Sequence, residues 1–203
     1  MRRFSIGFFL ILTAAFAVRH APPKNIPPAV QPLPARFLGL FSDLRAAQAQ
    51  NAKGGHRQIS FQFSDSEINE YMRYSLHAAP RPGLESVTVK IFPESYISTY
   101  TVIDFDAVEK WHPGTIPVLL KPVLTGKKSI WVDYRIHAQN SKLTFSVEKA
   151  YYGSLRLPAF FVEKMIQIVA ARQPEHYDTS KPMPIPFGLR QVSTYDHTLQ
   201  GQN

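Results

Sequence analysis

Apolar and polar residues alternate along four long stretches of the chain, and this pattern predicts an antiparallel sheet. The first two stretches lie between Leu84 and Phe105 and are joined at the sequence PES, which is typical of a hairpin with a three-residue turn. The next two, KSIWVDYRIHAQ and LTFSVEKAYYG, are joined at NSK. A shorter alternating run, RQISFQF, predicts one further strand with Ile59, Phe61 and Phe63 on its buried side.

A helix is predicted directly after that short strand, in the sequence FSDSEINEYMRYSL. Ser64 and Glu67 have the spacing of a capping box, and Phe63 and Ile68 have that of a hydrophobic staple. The apolar stripe continues at helical spacing through Tyr71, Met72, Ser75 and Leu76. Asn69 is not explained by that stripe, and we expect its amide to bond a neighbouring strand or loop rather than a lipid headgroup.

Two other stretches have helical spacing. ARFLGLFSDLRAAQAQN carries Phe37, Leu40, Phe41 and Leu44 on one face and is stopped by Gly54-Gly55. LPAFFVEKMIQIVAARQ predicts a helix that opens near Pro158 with an inward set of Phe160, Phe161, Met165, Ile168 and Val169.

The segment from Trp111 to Leu124 is apolar but is interrupted by prolines, which exclude a regular helix or an interior strand. Such a segment needs a partner, and three remain open: the protein core, a pocket that it covers, or a membrane interface. Further along, a proline-rich approach leads to a last strand from about Leu189 to Tyr195, after which only DHTLQGQN remains.

Together these elements predict an α+β fold in which a long-stranded, curved antiparallel sheet wraps against two or three amphipathic helices. The length of 203 residues fits a single domain, residues 35–203. Residues 1–17 resemble a secretory signal peptide, with an uncleaved N-terminal anchor as the alternative. Residues 18–34 are rich in proline and predict an extended linker. The expected location is therefore the periplasm or cell envelope.

The chain has a formal net charge of +8 and no cysteine. The absence of cysteine excludes disulfides, thiol nucleophiles and cysteine-based metal sites, so core burial must hold the fold. The positive charge suits peripheral contact with an anionic membrane surface. Nucleic acid is not an expected partner, because the chain has no basic cluster longer than Lys127-Lys128 and no nucleic-acid motif.

No catalytic motif is recognisable in the sequence. There is no G-x-S-x-G, and the seven histidines are scattered singly. The best residual group is Asp104 and Asp106 with His112 nearby, which could bind a hard cation or act in acid–base chemistry, although two carboxylates that cap a turn explain the pair as well. The sequence therefore predicts no enzyme activity, no metal and no cofactor.

The burial pattern instead favours a binding protein. A curved sheet on a helix leaves an apolar groove where packing is incomplete, and such a groove holds an acyl chain by burial alone. The predicted lining is Phe61, Ile68, Met72, Val89, Ile91, Ile103, Trp131, Phe145, Phe161 and Met165. The alternative is a protein-interaction module without a cavity, which docks an envelope partner through residues 111–124.

The order of these parts resembles the LmeA-like and related exported bacterial lipid-binding domains of the tubular lipid-binding (TULIP) type. The resemblance covers roughly Ile59 to Tyr195 and rests on a helix start of the form S-x-x-E-I-N and on a late LP-F-G-like approach to the last strand. The residues that carry it are Ser64, Glu67, Ile68, Asn69, Pro158, Pro186, Phe187 and Gly188. It implies a helix held in a curled sheet, a phospholipid or other amphiphile in the groove, and a role in envelope lipid handling.

Overall fold

A computed structural model describes residues 35–51, 53–55, 57–80, 82–111, 113–114, 116, 118, 121–171, 181–185 and 189–203. The predicted leader and linker, and His112, Pro186, Phe187 and Gly188, lie outside these residues. The described helices are α1 Ala35–Asn51, α2 Asp65–Ala78, α3 Phe105–Trp111 and α4 Ala159–Ala171. The strands are β1 Ser60–Ser64, β2 Leu84–Ile91, β3 Tyr96–Asp104, β4 Lys127–Gln139, β5 Lys142–Tyr152, β6 Leu155–Leu157, β7 Met183–Pro184, β8 Gln191–Tyr195 and β9 Thr198–Gln202.

All nine strands form one antiparallel sheet that curls nearly into a closed barrel. The main order is β1-β9-β8-β4-β3-β2, and β5 lies on the other side of β4, where it also pairs with β6 and β7. The long strand β4 is central, because one edge pairs with β3 and then, at Ala138, with β8. The predicted mixture of helices with a curved antiparallel sheet is confirmed, with four helices among the described residues instead of two or three.

Helix α2 begins as the capping-box pattern predicts. The Ser64 hydroxyl accepts a hydrogen bond from the Glu67 N–H at 3.2 Å, and the Glu67 carboxylate accepts one from the Ser64 N–H at 2.9 Å. Arg36 of α1 pairs with the same carboxylate. Burial opposes ionisation of Glu67, but the bonds from Ser64 and the charge of Arg36 outweigh it and lower the pKa of Glu67. This carboxylate therefore joins α1 to the start of α2.

The Asn69 side chain closes the free edge of β2. Its amide nitrogen donates to the Val89 carbonyl at 2.8 Å, and its oxygen accepts from the Val89 N–H at 2.7 Å. The primary amide presents an N–H donor beside a C=O acceptor, so Asn69 replaces the peptide group of a missing neighbouring strand. The prediction that Asn69 bonds a strand is confirmed.

The chain does not finish its sheet with the strand at Gln191–Tyr195, so the expectation that this is the last strand is wrong. The residues after it turn at Asp196-His197 and return as β9, which pairs with β8 and with β1. Gly201 lies opposite Phe61, and the Phe61 ring occupies the space that a Cβ at residue 201 would need. Three polar residues and a glycine in TLQGQ concealed this strand, because pairing with its neighbours stabilises it more than its apolar content does.

The β2–β3 hairpin turns at Pro93-Glu94-Ser95 as predicted, because Ile91 pairs with Ile97 and the Phe92 N–H donates to the Tyr96 carbonyl at 2.9 Å. Glu94 and Ser95 have φ of 57° and 62°. The end of the second strand of this hairpin needs correction. Strand β3 ends at Asp104, and the next residues form the unpredicted helix α3. The Asp104 carboxylate accepts hydrogen bonds from the N–H groups of Asp106 and Ala107, each at 3.1 Å, and so caps that helix.

Helix α4 lies where the sequence predicts it, but it presents a different face. Its buried side chains are Val162 and Ile166, Phe161 is half-buried, and Phe160 is 73% exposed. The side chains of Met165, Ile168 and Val169 lie outside the described part of the chain. The apolar run FFVEKMIQIV fits more than one inward stripe, so the sequence could not fix its rotation.

Candidate functional site

Buried apolar side chains of the described residues form two clusters on the inner face of the sheet. The first apolar cluster lies between α1, α2 and the sheet, and the second lies between α4 and strands β4 and β5. Tyr134 and Phe145 touch both clusters. The buried members of the second cluster are Val132, Val147, Ala150, Val162 and Ile166.

The structure distributes the predicted groove lining over three places. The first apolar cluster contains Ile68, Met72, Val89 and Ile91, with Phe61, Ile103 and Phe145 packed against it. Phe161 packs against the second cluster. Trp131 lies on the opposite face of the sheet, so it is wrongly included with the others, and the Met165 side chain is not described. The ten residues therefore do not line one groove.

Aromatic rings fill the first apolar cluster. Phe37 of α1 stacks on Phe63 at 3.9 Å between ring centroids and on Tyr71 of α2 at 4.9 Å. Phe41 lies 5.5 Å from the same tyrosine ring. Helix α1 thus covers the place where the sequence predicts a ligand between α2 and the sheet, and the rings make this region a packed core.

The second apolar cluster is covered by α4. A bulge in the β4–β5 pairing, where Asp133 faces Lys149 but Tyr134 faces Val147, interrupts the strand register. The Val147 N–H donates instead to the Glu163 carboxylate of α4 at 3.3 Å. This part-buried bond is a polar link between α4 and the sheet.

The second apolar cluster continues to the protein surface along β6. Leu157 pairs with the buried Ala150, and Leu155, two residues earlier on the same face, pairs with Tyr152. Leu157 is half-buried and Leu155 is 59% exposed. The apolar face therefore emerges from between α4 and the sheet without a polar residue on that face.

Other exposed apolar side chains lie on the segments that follow β3 and β6: Trp111 on α3, Val118 and Val123 between α3 and β4, and Phe160 in the first turn of α4. We call the set of Trp111, Val118, Val123, Leu155 and Phe160 the apolar end. Its parts are joined: Tyr152 at the end of β5 donates its hydroxyl to the Val123 carbonyl at 2.7 Å, and its ring lies 6.0 Å from that of Phe105 at the start of α3. Of the segment 111–124, Ile116 is buried while Val118 is 79% exposed.

Glu109 of α3 holds the described part of that segment in place. Its carboxylate accepts from the N–H groups of Gly114 at 3.1 Å and Ile116 at 3.3 Å, and it pairs with Lys121 at 2.7 Å. The Lys121 bond and these backbone bonds lower the pKa of Glu109 to about 2. The segment is therefore fixed by one carboxylate at neutral pH.

An aromatic row crosses the outer face of the sheet next to the apolar end. Tyr100 of β3 lies opposite Trp131 of β4, which lies opposite Tyr151 of β5. Trp131 and Tyr100 are about half exposed. The Trp131 N–H is fixed by Ser98 Oγ at 2.6 Å and Asp133 Oδ1 at 2.8 Å, so the ring has a defined orientation on the surface.

Asp133, beneath this row, is buried and carries the strongest polar network of the outer face. Besides the Trp131 N–H it bonds the hydroxyl of Tyr96, and burial together with that bond raises the pKa of Tyr96 to about 12. The Arg135 guanidinium lies 5.6 Å from the Tyr96 ring centroid. These groups satisfy one another and support the aromatic row.

The predicted pair of carboxylates does not form a cation site with described partners. Asp104 caps α3, Asp106 is exposed, and His112 is outside the described residues. Among the described side chains, no group of three or more histidines, aspartates and glutamates is arranged to hold a metal ion.

Sequence reasoning singled out the apolar segment 111–124 but missed the exposure of Leu155 and Phe160 and the aromatic row on the outer face. The sequence does contain evidence for both. Leu155 follows the turn at Gly153-Ser154, and the alternation of each strand assigns Tyr100, Trp131 and Tyr151 to its polar face. Exposure, however, depends on where neighbouring elements end, which strand periodicity does not record.

Comparison with protein-family models, with curated proteins and with solved structures finds no match to this chain. Within the described residues, no helix is long and apolar enough to cross a membrane. The function is therefore inferred from the fold and from the two faces of the sheet.

Proposed function

We propose that this protein binds a phospholipid or another amphiphile without catalysing a reaction, and that the acyl chain enters between α4 and strands β4 and β5. The site is the second apolar cluster, with Phe161 and Leu157 at its edge. This position keeps only part of the lining that the sequence predicts, namely Phe145 and Phe161; Ile68, Met72, Val89 and Ile91 belong to the first apolar cluster, where aromatic rings fill the space.

The observation that carries the proposal is the continuous apolar face from Ala150 through Leu157 to Leu155. A packed core normally ends in a polar rim, and an exposed apolar continuation of it is typical of a binding surface. Among the described side chains of α4, Glu163 makes a polar contact with the sheet through the Val147 N–H, and Val162 and Ile166 make apolar ones.

The energy of such binding comes from area alone. Each buried methylene contributes ~0.8 kcal/mol, so about ten of them supply ~8 kcal/mol. This free energy corresponds to micromolar affinity before the cost of ordering the chain is subtracted. No charged residue is required inside the site. A basic protein can add attraction for an anionic headgroup at the surface.

The resemblance to LmeA-like and TULIP-type domains supports the same function. A helix-lined, strongly curled sheet is the arrangement that this resemblance implies. Export to the periplasm or envelope, after a leader at residues 1–17, belongs to the same proposal.

The test is binding of a fluorescent fatty acid or phospholipid to the purified protein after its lipids are removed. Val162→Phe fills the α4–sheet space and should weaken binding by about tenfold, as expected for loss of a few buried methylenes. Val87→Phe makes the same enlargement in the first apolar cluster and should leave binding unchanged. The proposal fails if Val162→Phe does not weaken binding or if only Val87→Phe does.

The exposed Val118 and Val123 favour a second candidate, a protein-interaction module that docks through residues 111–124. It predicts that deletion of residues 116–124 abolishes recovery of one defined envelope partner while probe binding persists. Unchanged partner recovery would exclude it.

A further inference from the structure

Exposed large apolar side chains are distributed very unevenly over the described surface. Five of them form the apolar end, and Tyr100 and Trp131 belong to the adjoining aromatic row; Tyr195, at the β8–β9 turn, lies apart from both sets. The β2–β3 and β4–β5 turns, at the opposite ends of β3 and β4 from α3 and residues 121–126, carry polar residues such as Glu94 and Asn140. One end of the sheet is thus apolar and the other polar.

The kinds of side chain also differ with position. Apart from Trp111, the apolar end carries aliphatic and phenyl groups (Val118, Val123, Leu155 and Phe160), whereas the indole of Trp131 and the phenols of Tyr100 and Tyr151 lie beside it on the outer face. Aliphatic and phenyl groups partition into hydrocarbon, while tryptophan and tyrosine prefer the boundary between hydrocarbon and water. This order fits the depth profile of a bilayer surface better than a protein interface of uniform composition.

Cations surround these apolar groups. Arg156 lies opposite Tyr151 in the sheet, Lys149 lies opposite Asp133, Lys110 precedes Trp111, and Lys164 follows Phe160 by one helical turn. All four are exposed, and none forms an ion pair with a carboxylate among the residues the structure describes. The nearby Lys121 and Lys127 are paired with Glu109 and Glu85.

We infer that the apolar end docks on an anionic phospholipid bilayer, with Val118, Leu155 and Phe160 inserted, the aromatic row at headgroup level and the unpaired cations on lipid phosphates. The net charge of +8 adds long-range attraction to such a surface. This inference rests on the proposed function, because docking in this orientation brings Leu155, the exposed edge of the acyl-chain site, against the membrane.

The two tryptophans of the sequence permit a local test in the full chain. Trp111 belongs to the apolar end, Trp131 belongs to the aromatic row, and residues 1–34 contain none. Variants Trp111→Phe and Trp131→Phe each leave one reporter. With vesicles of phosphatidylglycerol and phosphatidylcholine in equal parts, both reporters should shift to shorter emission wavelengths and become less accessible to a water-soluble quencher. Phosphatidylcholine alone should give weaker shifts.

Aspartate substitutions test which surface of the protein docks on the membrane. Phe160→Asp combined with Val118→Asp should weaken partitioning to the anionic vesicles about tenfold or more, whereas Tyr195→Asp, a matched change at the β8–β9 turn, should not. Circular dichroism checks that each variant is folded. The inference is overturned if the reporters do not shift, or if Tyr195→Asp weakens partitioning as much as the double variant.

Lipid capture by the same variants separates this inference from the proposed function. Capture of the soluble fluorescent fatty acid without any tryptophan shift on vesicles would overturn the docking and leave the proposed function intact. Tryptophan shifts without fatty-acid capture would support the docking and contradict the proposed function.

Discussion

The two apolar clusters are built on the same sheet but differ in how they are closed. The first is covered by α1 and α2 and is filled by stacked rings, and Asn69 of α2 hydrogen-bonds the edge strand β2. The second is covered by α4, whose Glu163 bonds β5, and its apolar face continues to the exposed Leu155. We propose that the first cluster holds the fold and that the second takes the ligand.

Truncation of a core side chain should give the largest difference in stability between the two clusters. Leu44→Ala in the first cluster, where the side chain is 2% exposed, should lower the free energy of unfolding by about 3–5 kcal/mol. Ile166→Ala in α4 should cost only about 2–3 kcal/mol, because the cluster whose apolar face reaches the surface can collapse around the gap. Urea unfolding measures both values. A larger loss for Ile166→Ala would contradict the assignment of the two roles.

The Asn69 contact gives the next largest effect. Asn69→Ala leaves the N–H and C=O of the buried Val89 without their side-chain partners and should lower the free energy of unfolding by about 2 kcal/mol. Glu70→Ala, an exposed change on the same helix, is the control and should change stability little. Equal effects of the two substitutions would show that the β2 edge does not need Asn69.

Replacing each of two glycines by alanine should change the stability of the protein in opposite directions. Gly201→Ala places a Cβ 2.3 Å from the Phe61 ring and should destabilise the protein by about 1–3 kcal/mol through overpacking. Gly39→Ala in α1 meets nothing within 4 Å and should stabilise it by about 0.5–1 kcal/mol. Thermal unfolding distinguishes the signs, and stabilisation by Gly201→Ala would disprove the close β1–β9 packing.

The smallest expected effect is that acid frees residues 113–124 from their contacts with Glu109. The pKa of Glu109 is about 2 in the folded protein, below the ordinary 4.5, so its contribution is complete above pH 4.5 and is lost as the pH falls toward 2. Glu109→Gln should mimic this release at neutral pH and speed proteolytic cleavage in the segment, whereas Asp106→Asn should not. Unchanged cleavage would show that other contacts hold the segment.

The sequence predicts elements whose pattern is local. The α2 capping box, the two long hairpins and the helix after Pro158 are confirmed, because a short run of residues determines each of them. Strand β9 and helix α3 are not predicted, since TLQGQ depends on pairing with β1 and β8, and the role of Asp104 as a helix cap depends on where β3 ends.

The candidate site is predictable only in part. Buried residues such as Val89, Ile91 and Met72 are identified by periodicity, but the pattern cannot say that Phe37 and Tyr71 stack in the space between them. The rotation of α4, which exposes Phe160 and buries Val162, also depends on tertiary packing. The position of a groove is a property of how elements fill space, which single-chain patterns do not contain.

Hydrogen exchange of the full chain, with and without a soluble fatty acid, tests the central claim most directly. The account predicts that amides of α4 and of β5 near Ala150 exchange faster than those of α2 and β2 in the free protein, and that the ligand protects α4 and β5 selectively. Protection confined to α2 and β2, or faster exchange there than in α4, would contradict it and return the site to the first apolar cluster.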